Sequence, residues 1–183
     1  TKYEKHYGIK HNCKNLLKKS IYAISEFNKK NMKDYNIISC PGCYPTSILL
    51  PLIPLVKKKL IKTQNIIADS KSGYSGAGKK INAKFSFKNI YNSVSVYGVG
   101  KHRHMLEIDQ ELSKICKKKI KVFFTPHLLP MFRGILSTIY IEMNKNVSAK
   151  KIYEFLKRYH SKNLFVKIAK FNSHIGTGEV MNT

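Results

Sequence analysis

The stretch that most limits what this chain can fold into is residues 35–61, YNIISCPGCYPTSILLPLIPLVKKKLI. Tyr35 to Ser39 form a short apolar, β-branched run, which reads as a buried strand. Pro41 and Gly42 then impose a sharp turn, because Pro fixes φ and Gly accepts backbone angles that other residues resist. From about residue 45 to 61 the chain is apolar and closes on lysines, where cations complement the C-terminal end of a helix dipole. Pro51 and Pro54 fall inside this helix and are expected to bend or split it near residues 50–53. The unit is strand–turn–helix, with Cys43 at the junction.

Cys40 and Cys43 stand in C-x-x-C spacing across that turn. Such a pair can be redox-active, supply half a zinc site, hold one nucleophile beside a bystander, or be two plain buried thiols. Zinc needs a second pair of ligands, and Cys13 and Cys116 stand alone. A thioredoxin-like dithiol stays open, although Pro51 and Pro54 interrupt the core parallel-sheet pattern expected after such a motif. The position favours a single nucleophile. A thiol at a helix N-terminus has its pKa drawn below about 8.5, which makes the thiolate the working species. Cys40, at the end of the strand, is expected to lie in an apolar setting and stay inert.

The remaining chain reads as α+β. Residues 1–34 hold a helix-like stretch around NLLKKSIYAI and a loose segment after it. NIIADS (65–70) is a second buried-strand candidate that runs into the glycine-rich loop KSGYSGAGKK. KFSFKNIYNSVSVYGVG alternates apolar and polar residues, which argues strand and loop rather than helix. HRHMLEIDQELSKICKK switches to helical spacing, with Leu106, Ile108, Leu112, Ile115 and Cys116 able to share a face. IKVFFTPHLLPM and RGILSTIYIEM look like two strands joined around Pro126–Arg133. Ser148 is placed to cap a helix with Ile152, Phe155, Leu156 and Tyr159 as its apolar stripe. LFVKIAKF reads as a last alternating strand.

Three further stretches carry chemistry. Gly73, Gly78 and Lys79 fit G-x-x-x-x-G-K, but Lys80 stands where a P-loop needs Ser or Thr, and no amphipathic helix follows. The loop is better read as one that lets a ligand approach backbone N–H groups, or as an ordinary surface loop. In HRH, His102 and His104 share one side of an extended backbone and Arg103 the other. Glu107, three residues after His104, can orient that imidazole and raise its pKa, as in a general acid–base. A solvated charge cluster is the plain alternative; beside an activated cysteine, a Cys/His pair is favoured. FTPHLLPMFRG offers His127 and Arg133, whose planar fork suits carboxylate or phosphate better than lysine does.

A formal net charge of +24 invites a nucleic-acid reading. Only three of the 34 basic residues are arginine (103, 133 and 158), and the lysines are spread over every segment. Lysine is the poorer reader of bases and phosphates, so a basic nucleic-acid-binding module is the rival reading rather than the leading one. No stretch approaches the ~20 apolar residues of a membrane span. Thr1–Lys10 does not read as a signal peptide, and four cysteines are too few for a disulfide scaffold, so a cytoplasmic setting is expected.

Taken together, PGCYPT (41–46), DSKSGYSGAGKK (69–80), HRHMLEIDQ (102–110) and FTPHLLPMFRGILSTIY (124–140) resemble the N-acetyl-γ-glutamyl-phosphate reductases, the semialdehyde dehydrogenases of arginine biosynthesis. The four stretches occur in the family's order, and IYAISEFNKKNMKDYNIIS resembles the segment leading to its nucleophile. Cys40 departs from the family's usual Asn, and Leu106 from its usual Pro.

The resemblance implies a glyceraldehyde-3-phosphate-dehydrogenase-like catalytic and dimerisation domain over 42–183, a mixed sheet with helices. Residues 1–41 would be the tail end of a Rossmann domain. It implies a fragment, lacking most of that nucleotide-binding half and a C-terminal helix and inactive alone. The implied reaction is NADPH-dependent reduction of N-acetylglutamyl phosphate to the semialdehyde with release of phosphate. Cys43 would form the thioester and His104 would be the acid–base, oriented by Glu107, with His102 the second choice. Arg103 and Arg133, with His102, would bind substrate, and Ser72, Gly73, Gly76 and Gly78 would face the NADP. A homo-oligomer, dimer or tetramer, is implied, with no metal, membrane or nucleic acid. A related reductase of the lysine or aspartate pathways is the nearest alternative.

Overall fold

The computed structural model describes residues 4, 7–29, 31–77 and 87–181, with side chains not described at 87 and 88. Two short strands come first, β1 (Ser20–Tyr22) and β2 (Ile37–Ser39), paired in parallel. Helix α1 (Cys43–Lys57) leads to β3 (Ile66–Ser72) and the two-residue β4 (Ser95–Val96). Helix α2 (Met105–Cys116), strands β5 (Val122–Leu128) and β6 (Ile135–Tyr140), and helix α3 (Ala149–Tyr159) complete the order. The larger sheet runs β4-β5-β3-β6. β3 and β5 are parallel, and both outer contacts are antiparallel, so the sheet is mixed.

Side-chain alternation decides which face of this sheet is covered. Ile66, Ala68, Val122 and Phe124 point inward and are buried with Ile48, Leu49 and Leu52 of α1 and Ile108 and Leu112 of α2. Those helices cover that one face. The register places Ile67 beside Phe123 on one side and Tyr140 on the other, and all three are exposed. Among the described residues that second face is uncovered. Near its middle, Asp69 meets Lys71 Nζ at 2.6 Å and His127 Nδ1 at 3.0 Å.

Pro51 and Pro54 do not split α1, which runs unbroken through both. A proline leaves the carbonyl four residues earlier without its helical donor. For Pro54 that carbonyl belongs to Leu50, and the buried His160 lies against it, Nε2 to O 3.3 Å. The other ring nitrogen, Nδ1, is 3.0 Å from Asn163 Nδ2, so Nε2 donates and Nδ1 accepts. A side chain from beyond α3 thus repairs a defect inside α1.

Several expectations are corrected. β2 is exposed at all three residues, because it pairs with β1 alone, and Cys40 after it is exposed rather than held in an apolar setting. Residues 20–22 of NLLKKSIYAI form β1, preceded by a 3-10 turn at Lys14–Lys19, rather than one helix. Phe87–Ile90 is a helical turn where alternation suggested strand and loop, and KFS (84–86) lies outside the described residues. LFVKIAKF forms no strand; Leu164 and Phe165 are 86% and 93% exposed, and among the described residues no strand pairs with this segment. The joint read around Pro126–Arg133 starts later, since β5 runs through Pro126 to Leu128, and β5 and β6 flank β3 in the sheet. Ser148 does cap α3, accepting a hydrogen bond from Lys151 N. Among the described residues no helix is long and apolar enough to cross a membrane.

Candidate active site

A cleft of about 620 Å³ opens where the N-terminus of α1, the end of β3 and the segment before α2 converge. Cys43, the first residue of α1, is exposed in it. Its N-cap is Gly42, and no acidic residue occupies the first helical turn. Pro45 sits in that turn, where a missing N–H costs nothing. Cys43 therefore faces the cleft from the positive end of the helix dipole.

Gly42 admits no side chain. A methyl group there would lie 2.4 Å from His104 Nε2 and 2.6 Å from its Cε1. The imidazole thus rests on the turn that carries Cys43, with Nε2 nearest. His104 is 8% exposed, and its Nδ1 is buried with no hydrogen-bond partner among the described residues. Glu107 Oε1 lies 4.0 Å from Nε2, too far for a hydrogen bond. Burial holds the His104 pKa below its ordinary value, against an upward pull from Glu107 and with a smaller downward push from Arg103. This corrects the expected rise. The carboxylate is present, but desolvation of the imidazolium wins.

Glu107 does more than face the imidazole. Its Oε2 accepts from Tyr22 Oη at 2.8 Å and from Gly42 N at 2.9 Å. His102 packs edge-on to His104 at 4.8 Å between ring centroids, and its Nδ1 accepts from His104 N at 3.2 Å. Tyr44 and Tyr97 complete the aromatic wall, with their hydroxyls 2.7 Å apart, and Phe124 of the core backs Tyr44 and His102. Burial raises the Tyr44 pKa well above the ordinary phenol range.

The glycine loop forms another wall through Ser72, Gly73, Ser75, Gly76 and Ala77; Gly78 and the lysines after it lie outside the described residues. Three of its backbone donors are already engaged within the protein rather than open to a ligand. Gly73 N, Tyr74 N and Ser75 N donate to the carbonyls of Gly134, Met131 and Phe132 at 2.9–3.0 Å. Gly73 is needed for this packing, since a Cβ there would lie 2.6 Å from Phe132 O. The same contacts bring Arg133 to the cleft, where it joins Arg103 and Lys101. Among the described lining residues there are three permanent cations and no carboxylate. Concentrated in one concavity, they make the cleft a receptor for anions.

The structure thus gathers Cys43, His102, His104, Arg103, Arg133, Ser72, Gly73 and Gly76 in one cleft, with Glu107 behind His104. His127 is separate, on the uncovered sheet face with Asp69. Lys101, Tyr44 and Tyr97 were not singled out by sequence. The Lys101 charge directly before HRH was the available signal, whereas the tyrosines carry none outside the folded chain. Among the described residues no group of three or more His, Cys, Asp or Glu side chains is placed to hold a metal ion.

The family profile described as semialdehyde dehydrogenase, dimerisation domain, matches residues 43–183. An N-acetyl-gamma-glutamyl-phosphate reductase of Acetivibrio thermocellus is 45% identical over 166 residues, covering 91% of this chain and 48% of the relative. One from Vesicomyosocius okutanii is 39% identical over 183 residues, all of this chain and 53% of the relative. The chain spans about half the length of the curated relatives it matches. A crystal structure of aspartate semialdehyde dehydrogenase II from Vibrio cholerae shares the fold, with a TM-score of 0.59 at 19% identity over 77% of this chain and 49% of that one. The motifs, the mixed sheet and these relatives agree: the chain belongs to the semialdehyde dehydrogenase dimerisation-domain family, among relatives named N-acetyl-gamma-glutamyl-phosphate reductase.

Proposed function

We propose that the cleft is the acylation site of an N-acetyl-γ-glutamyl-phosphate reductase. The observation that carries this reading is a cysteine at a helix N-terminus, beside a buried imidazole, in a cleft whose described charges are all positive. An acyl phosphate bearing its own carboxylate supplies the matching negative charges. Arg133 and Arg103 would bind the carboxylate and the phosphate, and Lys101 would add to the field.

In the proposed reaction the Cys43 thiolate attacks the acyl carbon, and the tetrahedral intermediate expels phosphate with the C–O electron pair. A thioester is left on Cys43. NADPH, when bound, supplies the hydride that takes this thioester to the aldehyde level. The Cys43 sulfur then leaves carbon with its electron pair, regenerating the thiolate. His104, neutral because burial disfavours its charged form, would take the Cys43 proton at Nε2 and protect the thiolate from reprotonation. His102, whose Nδ1 already accepts a backbone N–H, would shape the wall and contact substrate instead.

The residues present fit only the reactive end of NADP: Ser72, Ser75 and Gly76 wall the same cleft as Cys43. The rest of the nucleotide would be held by a Rossmann half, of which residues 1–41 would be the end, with 42–183 as the catalytic domain. A second copy of the chain would cover the open sheet face, where Ile67, Phe123, Leu136 and Tyr140 are exposed. All four cysteines are free, in keeping with a reducing cytoplasm.

The test is a chain extended to the length of its relatives. Phosphate-dependent oxidation of N-acetylglutamate semialdehyde with NADP reduction is expected, and Cys43→Ser should abolish it. A Cys43→Ser chain that kept the rate, or one that preferred aspartate semialdehyde, would overturn the assignment.

A further inference from the structure

We infer that Tyr22 is a positioning residue for the Cys43–His104 pair, acting through the Glu107 carboxylate on both the imidazole and the turn before Cys43. Tyr22 lies on β1, outside the residues matched by the family profile and far in sequence from the partner it reaches. Its hydroxyl donates to Glu107 Oε2 at 2.8 Å, and the same oxygen accepts from Gly42 N at 2.9 Å. The other oxygen, Oε1, is the one 4.0 Å from His104 Nε2.

Glu107, itself in the first turn of α2, therefore ties that helix to β1 through Tyr22 and to the Pro41–Gly42 turn through a backbone N–H, with its second oxygen facing His104. The two donors on Oε2 share the negative charge. They hold the carboxylate short of a direct hydrogen bond to the imidazole. Glu107 consequently fixes where His104 rests on Gly42 while drawing only part of the proton affinity it could draw. Tyr22 remains a donor throughout the working range, because burial and Glu107 both oppose its ionisation.

Removing the Tyr22 hydroxyl leaves Oε2 with a single donor, so more carboxylate charge acts on His104 and its proton is held more tightly. Strengthening that donor does the opposite. The other ionisable groups about His104 are His102 and Arg103 on its own segment, and Cys43 and Tyr44 from α1. Glu111 and Tyr7 act on Tyr22 itself. Neither substitution below replaces any of these groups.

The inference rests on His104 being the partner of Cys43, but its test is read without substrate or cofactor. It therefore fails separately from the proposed reaction. The His104 ring is followed by NMR through a pH titration of the 183-residue chain, in wild type, Tyr22→Phe, and a chain carrying 3-fluorotyrosine at position 22. The midpoint should rise by about half a unit in Tyr22→Phe, as expected when a nearby carboxylate loses a competing donor. It should fall in the fluorotyrosine chain, whose hydroxyl is the stronger donor. A purely structural Tyr22 would not move the two midpoints in opposite directions. If Tyr22→Phe does not fold, the nearly isosteric fluorotyrosine chain decides alone. An unchanged midpoint there, or two shifts of the same sign, overturns the inference.

Discussion

The imidazole of His104 lies directly on the Cα of Gly42, so close that a methyl group at that position would meet Nε2 at 2.4 Å. This contact fixes where the imidazole sits relative to the residue before Cys43. It also accounts for glycine in PGCYPT on steric grounds.

Gly42→Ala should therefore displace His104, since the ring is backed by Tyr44 and His102 and cannot turn in place. Misplacing a reacting group by about 1 Å can cost around a hundredfold in rate. A loss of about that size is expected in Cys43 acylation at neutral pH, measured by stopped flow. A near wild-type rate would show that His104 does not need this seat.

The two cysteines of the turn should behave differently although both are exposed. Cys43 opens α1 and faces the cleft, whereas Cys40 lies before the turn and is not among the lining residues. Iodoacetamide footprinting should label Cys43 first, and Cys40→Asn should keep turnover of the extended chain within about tenfold, as expected for a surface change. Equal loss in Cys40→Asn and Cys43→Ser would identify a redox pair.

His160→Ala removes the donor that serves Leu50 O, the carbonyl orphaned by Pro54. An unsatisfied buried acceptor costs about 1–3 kcal/mol, and urea denaturation should show a loss of that order. A substitution costing nothing measurable would mean the carbonyl finds another donor.

Stability should fall as pH drops below about 6.5, the ordinary histidine value. Both His104 and His160 are pushed downward chiefly by burial. The unfolded chain then binds protons that the folded chain refuses, so stability is complete above the unfolded pKa and is lost on descent through the folded ones. Asp109 and Glu111 are pushed upward by burial and act oppositely nearer the carboxylate range. The histidine effect is thus read above about pH 5. His160→Gln, which keeps a donor but cannot titrate, should flatten the slope of urea midpoints between about pH 7 and 5. An undiminished slope would remove His160 from the account.

Much of this was legible before the structure. The strand–turn–helix at Cys43, the strands at 66–72, 122–128 and 135–140 and the capped helix after Ser148 follow from local patterning. The Cys43, HRH and Arg133 stretches do converge on one cleft. What failed depended on distant partners. The burial of β2 was read from an apolar run and the strand at LFVKIAKF from alternation, and neither pattern says whether a neighbour is there to cover or pair with a strand. The unbroken α1 depends in part on His160, far away in sequence. The sign of the His104 shift depends on how deeply the ring is buried, which spacing to Glu107 does not reveal.

The most direct measurement of the central claim is covalent. The chain is mixed with N-acetyl-γ-glutamyl phosphate without any nucleotide, quenched in acid and analysed by mass spectrometry, with phosphate release followed in parallel. One N-acetylglutamyl group per chain, located on Cys43 and matched by one phosphate released, is the predicted result. Phosphate release without an adduct on Cys43, or an adduct that persists in Cys43→Ser, would contradict it.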